Sequence, residues 1–338
     1  MTLIQTVTTD DLVIQVADRR LSRPDGSVFD DDYTKLVCWN TSFTVGFTGL
    51  ARIDPAQKKS TSEWLAETLC DYASFEDGVD ALRYWASGQI GQLPTGKGWE
   101  DKRLGIIIAG FDRRRIPLVA EISNFDPEAP IPANQNEFKC YRIRRAPGHS
   151  ASFRITGAAL TEKMYANILL RRVPRMLKQQ DGITRAARLM VALQRRISED
   201  NPGVGRHAMA VAIPRERTMP AVLSNLDAPS LNTMNSNFCY FDDAGFNYKQ
   251  LGPHMAGGGW AWADFVAEAD PSNPDMQKVG GRVLKCPQPP PQAESTGCRH
   301  SDATKRPETK VFRDTVNTAA PSCLSNDQNL WMSLGEAA

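Results

Sequence analysis

Long hydrophobic runs are missing from this chain of 338 residues. Its longest strongly apolar stretch, Leu104–Gly110, is far shorter than the roughly 20 residues that a membrane-spanning helix needs, and residues 1–5 lack the charged and apolar regions of a signal peptide. An excess of one charge is missing too, because 40 Lys and Arg residues face 39 Asp and Glu residues. No broad electric field therefore favours nucleic acid or acidic membranes. We expect a cytoplasmic protein with no nucleic-acid or membrane partner.

Local signatures of several enzyme classes are missing as well. Seven cysteines occur without a CxxC pair, which favours reduced thiols over a disulfide framework. The four histidines stand in no Gly-x-Ser-x-Gly or His-Glu-x-x-His context, and Gly257–Gly259 lacks the Lys-Ser/Thr ending of a phosphate loop. Cys286, Cys298 and His300 are too irregularly spaced for a typical zinc site. We expect neither a metal nor an organic cofactor.

Strand and helix patterns are clear in the first two thirds of the chain. The β-rich runs, separated by turn residues or by a polar loop over 20–33, predict strands at 3–7, 12–16, 35–39, 43–47, 104–111, 117–122, 153–156, 207–213 and 221–223. A capping box at Ser60 and Glu63 and apolar spacings of three and four predict helices over 60–69, 75–86 and 183–197, and Pro174 should break or kink a further helical region. Two packed sheets with helices outside them, an α+β fold in αββα order, fit this sequence of elements.

The final third of the chain carries weaker signals. Residues 238–246 are aromatic and resemble a strand, whereas Pro287–Pro291 opens a stretch with few large apolar residues. Such a composition cannot offset the entropy of ordering the chain. We therefore expect a domain over 2–225, an extension of unknown role over 226–285 and a disordered tail over 286–338.

Thr2 is the most informative residue of the N-terminus. It follows Met1 directly, so removal of Met1 would leave a threonine that carries both a hydroxyl and a free α-amine. The α-amine, with a pKa of about 7.7–8.0, could take the hydroxyl proton near neutral pH. One residue would then supply both nucleophile and base.

The residues that follow Thr2 strengthen this hypothesis by their order. The segments 12–20 and 46–54, with a lysine between them, resemble the proteasome β-subunit family and its bacterial peptidase relatives, a branch of the N-terminal nucleophile (Ntn) hydrolases. In that family the nucleophilic threonine opens the first strand, an Asp ends the second and is followed two places later by an Arg, a Lys begins the third, and a Gly ends the fourth. The residues that occupy these places here are Thr2, Asp18, Arg20, Lys35 and Gly49.

The resemblance extends over roughly the first 220 residues. Residues 106–119 match the family's central hairpin, 153–157 match the strand before its third helix, and 199–205 match the segment whose acid, here Asp200, supports the threonine. The resemblance implies a four-layer αββα Ntn-hydrolase sandwich and amide hydrolysis through a threonyl ester. It further implies peptide or protein substrates and a homo-oligomeric ring, with any unfoldase partner unknown.

The chemistry of this reaction suits the matched residue types. The Lys35 ammonium would favour the deprotonated Thr2 hydroxyl and keep the nearby α-amine neutral, and Asp18 would balance the buried charge of Lys35. The backbone N–H of Gly49 could bind the oxyanion of the tetrahedral intermediate. Taken singly, Asp18 and Arg20 could also be an ordinary strand-end ion pair, and Lys35 a surface residue.

Two departures from the family leave alternatives open. Ala158 and Gly203 stand where many active members have serines, so two supporting hydroxyls are missing. The chain could therefore be a catalytically silent scaffold or assembly protein, or a small-molecule amidase.

Overall fold

The computed structural model describes most of the chain up to residue 285. The described residues are 2–23, 25–31, 33–39, 42–53, 59–69, 72, 74–94, 101–126, 136–145, 148–157, 163–216, 238–241, 254–256, 260–270 and 273–285. The predicted strand at 221–223, the glycines Gly257–Gly259, the candidate zinc residues Cys286, Cys298 and His300, and the predicted tail at 286–338 all lie outside them.

The described residues form strands and helices in mixed order. The strands are β1 (Leu3–Thr9), β2 (Leu12–Asp18), β3 (Leu21–Ser22), β4 (Val28–Asp30), β5 (Leu36–Trp39), β6 (Phe43–Gly49), β7 (Leu104–Phe111), β8 (Pro117–Ser123), β9 (Lys139–Arg144), β10 (Ala151–Gly157), β11 (Ala208–Pro214), β12 (Phe238–Phe241), β13 (His254–Ala256), β14 (Trp260–Asp270) and β15 (Asn273–Lys285). The helices are α1 (Thr61–Leu69), α2 (Phe75–Trp85), α3 (Lys163–Leu177) and α4 (Gly182–Asp200), and a π-helical turn at Ala86–Ile90 follows α2. The α+β class expected from the sequence is confirmed.

The strands of the described residues pair into two large sheets and one small hairpin. The first sheet has the order β10-β1-β2-β11-β12, and the second has the order β15-β14-β13-β5-β6-β7-β8-β9. Neighbouring strands run antiparallel except for β13 and β5. The third unit is the hairpin of β3 and β4. It lies within residues 20–33, so the expectation of a simple loop there is wrong.

Hydrophobic cores hold the helices and sheets of the described part of the chain together. Alternate residues of the second sheet, such as Phe43 and Phe47, pack against residues of α1 and α2, such as Leu65. The first sheet packs in the same way with α3 and α4. A third core, which includes Ile4 and Ile107, contains residues of both sheets and lies between them. Because side chains of a strand alternate between its two faces, the strands that contribute to these cores are buried on both faces.

Local signals place the helix starts as the sequence predicts. The Ser60 hydroxyl accepts the N–H of Glu63 at 3.1 Å, and the Ser74 hydroxyl accepts the N–H of Asp77 at 3.2 Å. These bonds satisfy donors that the first turn of a helix leaves unpaired. Pro174, by contrast, lies inside α3 without ending it. Pro174 therefore does not break the helix, and a kink at this residue stays a prediction.

Strands after residue 225 join the sheets built by earlier residues. β12 pairs with β11 over four residues, and β13 pairs with β5 through Met255 and Trp39. Residues 242–246 of the expected strand at 238–246 lie outside the described residues. The domain boundary at residue 225 stays a prediction. Of the helices in the described part of the chain, none is both long and apolar enough to cross a membrane.

Candidate active site

The pairing of β1 with β2 brings Thr2 and Asp18 to the same end of the first sheet. Ile4 lies opposite Ala17 in this antiparallel pair, so the start of β1 lies beside the end of β2. The backbone N–H of Leu3 donates to Asp18 Oδ1 at 2.7 Å. This bond fixes the residue after Thr2 to the carboxylate.

Lys35 completes a buried cluster with these two residues. It directly precedes β5, and its side chain is 1% exposed, against 0% for Asp18. Its ammonium Nζ donates to Thr2 Oγ1 at 3.0 Å and to Asp18 Oδ2 at 2.9 Å. It also donates to the carbonyl oxygen of Arg20. The Thr2 hydroxyl is thus held against a cation that is shielded from solvent.

Backbone donors surround the Asp18 carboxylate. Besides Leu3 N–H and Lys35 Nζ, the N–H groups of Arg20 and Gly205 donate to Oδ2 at 3.0 and 3.1 Å. Hydrogen bonds to a charged carboxylate are stronger than neutral ones. A buried charge needs such partners, because an unpaired one is costly. The geometry therefore supports a buried carboxylate opposite Lys35.

Arg20 encloses the cluster with its backbone and its side chain. Its N–H binds Asp18 and its carbonyl accepts from Lys35. The guanidinium donates to both oxygens of Asp31, at 2.6 and 3.2 Å, and to the carbonyl of Pro202 at 2.9 Å. The hydrogen bond to Asp31 is the main cause that raises the pKa of Arg20. Arg20 therefore pairs through its side chain with Asp31, and it meets Asp18 through its backbone.

Burial and charge act in opposite directions on Lys35. Complete burial lowers the pKa of Lys35 below its ordinary value of 10.5, and the charge of Asp18 and the hydrogen bond to it oppose this change. A buried ammonium loses its hydration, which favours the neutral amine. Lys35 is therefore more easily deprotonated than an exposed lysine.

Two glycines with positive φ lie close to the site. Gly157, with φ of +96°, ends β10 beside Thr2, and a Cβ there would lie 2.0 Å from the carbonyl oxygen of Thr2. Gly49, with φ of +100°, ends β6, and its Cβ would lie 2.1 Å from the carbonyl oxygen of Arg103. Both positions require glycine because a side chain would strain the backbone and collide with it. The role of Gly49 as an oxyanion donor stays a prediction.

The structure does not bring Asp200 to Thr2. Asp200 is exposed at the end of α4, and the contacts of the described residues include no bond between its carboxylate and the threonine. Gly203 donates its N–H to Asn201 Oδ1 at 3.1 Å, and Ala158 lies outside the described residues. The supporting roles of Asp200 and Gly203 stay predictions.

Sequence reasoning missed the part that Gly205 plays. Its N–H binds Asp18, and its carbonyl accepts from the buried amide of Gln194 on α4 at 2.9 Å. A Cβ at this position would lie 2.7 Å from Cβ of Arg20. The glycine spacing after Pro202 was the available signal, since a close backbone approach favours glycine. Within the described ranges, no group of three or more His, Cys, Asp or Glu residues could hold a metal ion.

Comparisons with known proteins give no family for this chain. No family model matches it, and no curated protein matches it. Among solved structures it is similar to Anbu (ancestral beta-subunit) from Yersinia bercovieri, with 11% identity, a TM-score of 0.40 and coverage of 63% of this chain and 81% of that one. It is also similar to an Anbu (Gly-1) mutant from Hyphomicrobium sp. strain MC1, with 16% identity, a TM-score of 0.37 and coverage of 62% and 80%.

These findings correct the family assignment made from the sequence. Membership of the proteasome β-subunit family is wrong as an assignment, because no family model matches and the solved structures have TM-scores of only 0.40 and 0.37. Similarity at this level establishes neither a family nor an activity.

Proposed function

We propose that the chain is an N-terminal threonine hydrolase that cleaves amide bonds with Thr2 as its nucleophile. The observation that carries this proposal is the 3.0 Å contact between Lys35 Nζ and Thr2 Oγ1 inside a buried cluster with Asp18. A hydroxyl is a weak nucleophile unless a base or a nearby cation activates it. Lys35 supplies the cation, and the α-amine of Thr2 supplies the base once the peptide bond before Thr2 has been cut.

The reaction then takes place in two stages. The free α-amine accepts the proton of Thr2 Oγ1, which attacks the amide carbonyl, and the bond to the leaving amine breaks as that amine takes up the proton. This leaves a threonyl ester, and water hydrolyses the ester to restore Thr2. Lys35 stabilises the developing negative charge on Oγ1, and Gly49 N–H is our proposed donor to the oxyanion.

The proposed function also includes a fold, a class of substrate and an assembly. The cores on both faces of each sheet support a four-layer αββα Ntn-type sandwich. The proposed substrates are peptides or proteins, handled by a homo-oligomeric ring in the cytoplasm. A small-molecule amidase would use the same Thr2 chemistry on a smaller substrate.

A catalytically silent scaffold is the alternative from another functional class. Two observations favour it: the exposed position of Asp200 and a Thr2 that is only 7% exposed. A scaffold would have no need to free the α-amine of Thr2. The state of the N-terminus therefore separates the two functions.

The test of the proposed function is an intact-mass measurement on the purified chain. We expect N-terminal sequencing to begin at Thr2, and a β-lactone that acylates threonine should add one adduct, which peptide mapping places on Thr2. Thr2→Ala is the control that should stay unlabelled, and Thr2→Ser should still react. Wild-type protein that retains the residue before Thr2 and takes up no adduct would support the scaffold.

A further inference from the structure

Thr48 and Thr156 face the space between the sheets near the site. Thr156 is the register partner of Ile4, and such partners lie on the same face of a sheet. Ile4 belongs to the core between the sheets, so Thr156 faces that space. On β6, Phe47 packs toward the helices, so the alternation of side chains turns Thr48 toward the first sheet.

Packing fixes the direction of the Thr48 hydroxyl. Its methyl Cγ2 lies 3.2 Å from the place that a Cβ on Gly105 would take. Its Oγ1 lies 3.2 Å from the place that a Cβ on Gly157 would take, and the carbonyl oxygen of Thr2 lies 2.0 Å from that same place. The two branches of Thr48 therefore point in different directions, with the hydroxyl on the side of Gly157, the residue that approaches the Thr2 carbonyl. The missing side chains of Gly105 and Gly157 make this arrangement possible.

Both hydroxyls are available for a further hydrogen bond. Thr156 is 6% exposed, and its Oγ1 is buried without a hydrogen-bond partner in the described part of the protein. Thr48 is 9% exposed, and its hydroxyl makes no hydrogen bond to any described residue. Buried polar groups are nearly always paired, and ordered water is a common partner where several polar groups converge.

We propose that Thr48 and Thr156 bind the water that hydrolyses the threonyl ester, an inference that rests on the proposed function. The oxygen of this water attacks the ester carbonyl carbon, and the α-amine of Thr2 accepts its proton. The bond between that carbon and Thr2 Oγ1 then breaks, Oγ1 takes the proton back from the amine, and the acid product leaves. Acylation of Thr2 needs no such water, so the two hydroxyls act only in the second stage.

The test separates the two stages with a β-lactone and intact-mass detection. In Thr48→Val, which keeps the branched shape but removes the hydroxyl, we expect Thr2 to be acylated within twofold of the wild-type rate. Hydrolysis of the adduct should slow by about 3- to 10-fold, the range for the loss of one neutral hydrogen bond. Thr48→Ser should restore the wild-type lifetime of the adduct. Thr156→Val should lengthen the lifetime as Thr48→Val does.

Thr8→Val is the matched control for the loss of a threonine hydroxyl. Thr8 bonds to Ser152 near the other end of β1, at 2.6 Å, so its loss should change neither rate constant. If the adducts of Thr48→Val and wild type hydrolyse equally fast, the water-binding role is wrong while the proposed function stands. If wild-type Thr2 takes up no adduct at all, the proposed function itself fails.

Discussion

At the scale of single residues, Asp18 organises the site through its two oxygens. Oδ1 holds the backbone next to Thr2, and Oδ2 holds Lys35 together with the N–H groups of Arg20 and Gly205. A strand end, a loop and a lysine side chain thus converge on one carboxylate. The position of Lys35 beside Thr2 Oγ1 depends on this arrangement.

Replacement of Lys35 by methionine should abolish labelling of Thr2 by a β-lactone. The variant removes the cation next to Thr2 Oγ1 and leaves Asp18 without its charged partner. Loss of one member of a buried ion pair typically costs about 3–5 kcal/mol, so denaturant unfolding should show a lower free energy while circular dichroism keeps its native shape. Lys59→Met is the control, because Lys59 and Glu67 form a partly exposed pair that should contribute about 1 kcal/mol or less.

The lowered pKa of Lys35 predicts how stability changes with pH. The folded protein binds the Lys35 proton less tightly than the unfolded chain does, so the burial of the charged ammonium lowers the free energy of unfolding. This destabilisation is fully present below the pKa of Lys35 in the folded protein. It fades as the pH rises toward 10.5, the ordinary value. Relative to Lys35→Met, the unfolding free energy of the wild type should therefore rise with pH in the alkaline range below 10.5. Urea titrations of both proteins across this range measure the difference, and parallel curves would contradict the assignment.

The sequence predicts part of this site because some of its residues have side chains with a recognisable chemistry. Thr2, Asp18 and Lys35 stand at strand ends, and strand pairing brings them together. Gly205 acts through its backbone N–H, which every residue except proline possesses. Its residue type therefore does not mark it as a hydrogen-bond donor to Asp18. Asp200 has a suitable carboxylate, but it points to solvent at the end of α4.

At the scale of secondary-structure elements, the end of β10 limits what can lie beside Thr2. We expect Gly157→Ala to abolish labelling of Thr2, because its Cβ would lie 2.0 Å from the Thr2 carbonyl oxygen and would force β1 and β10 apart. Backbone strain at positive φ should itself cost about 1–3 kcal/mol. Thermal melting and adduct formation measure the two effects separately.

Gly148→Ala is the matched control for this experiment. Gly148 also has positive φ, +81°, but its Cβ would meet no atom within 4 Å. The variant should lose stability through strain alone and keep the labelling of Thr2. If both variants were labelled equally well, the close approach of Gly157 to Thr2 would have no part in the chemistry.

Strands with alternating or mainly apolar residues were predictable from the sequence, whereas strands whose apolar residues are interrupted by charged ones were not. β1 and β2 are runs rich in residues that favour strands, β7 and β8 are mainly apolar runs, and all four match the prediction closely. β9 was missed because Lys139, Arg142 and Arg144 interrupt its apolar residues, as suits a strand at the edge of a sheet. Residues 260–285 were missed as well, although β14 and β15 pair there over much of their length.

At the scale of the whole molecule, the last described strands should contribute more to stability than residues 286–338. β12 covers one side of β11, and β13 lies beside β5. Removal of residues 226–338 would therefore leave one edge of β11 and one edge of β5 without a partner strand, while β2 and β6 still pair with their other edges. Unpaired strand edges favour association with other chains. Removal of residues 286–338 would leave all of these pairings in place.

We therefore expect two truncated chains to behave differently. The chain that ends at residue 285 should melt close to the full-length temperature and keep Thr2 reactive, because the deleted residues are too polar to contribute a core. The chain that ends at residue 225 should melt several degrees lower, since a loss of about 1 kcal/mol shifts the midpoint by roughly 2–4 °C in a domain of this size. Size-exclusion chromatography should show it aggregating. Equal melting of both chains would instead support an independent domain over 2–225, and a large fall for the chain that ends at 285 would show that residues 286–338 belong to the fold.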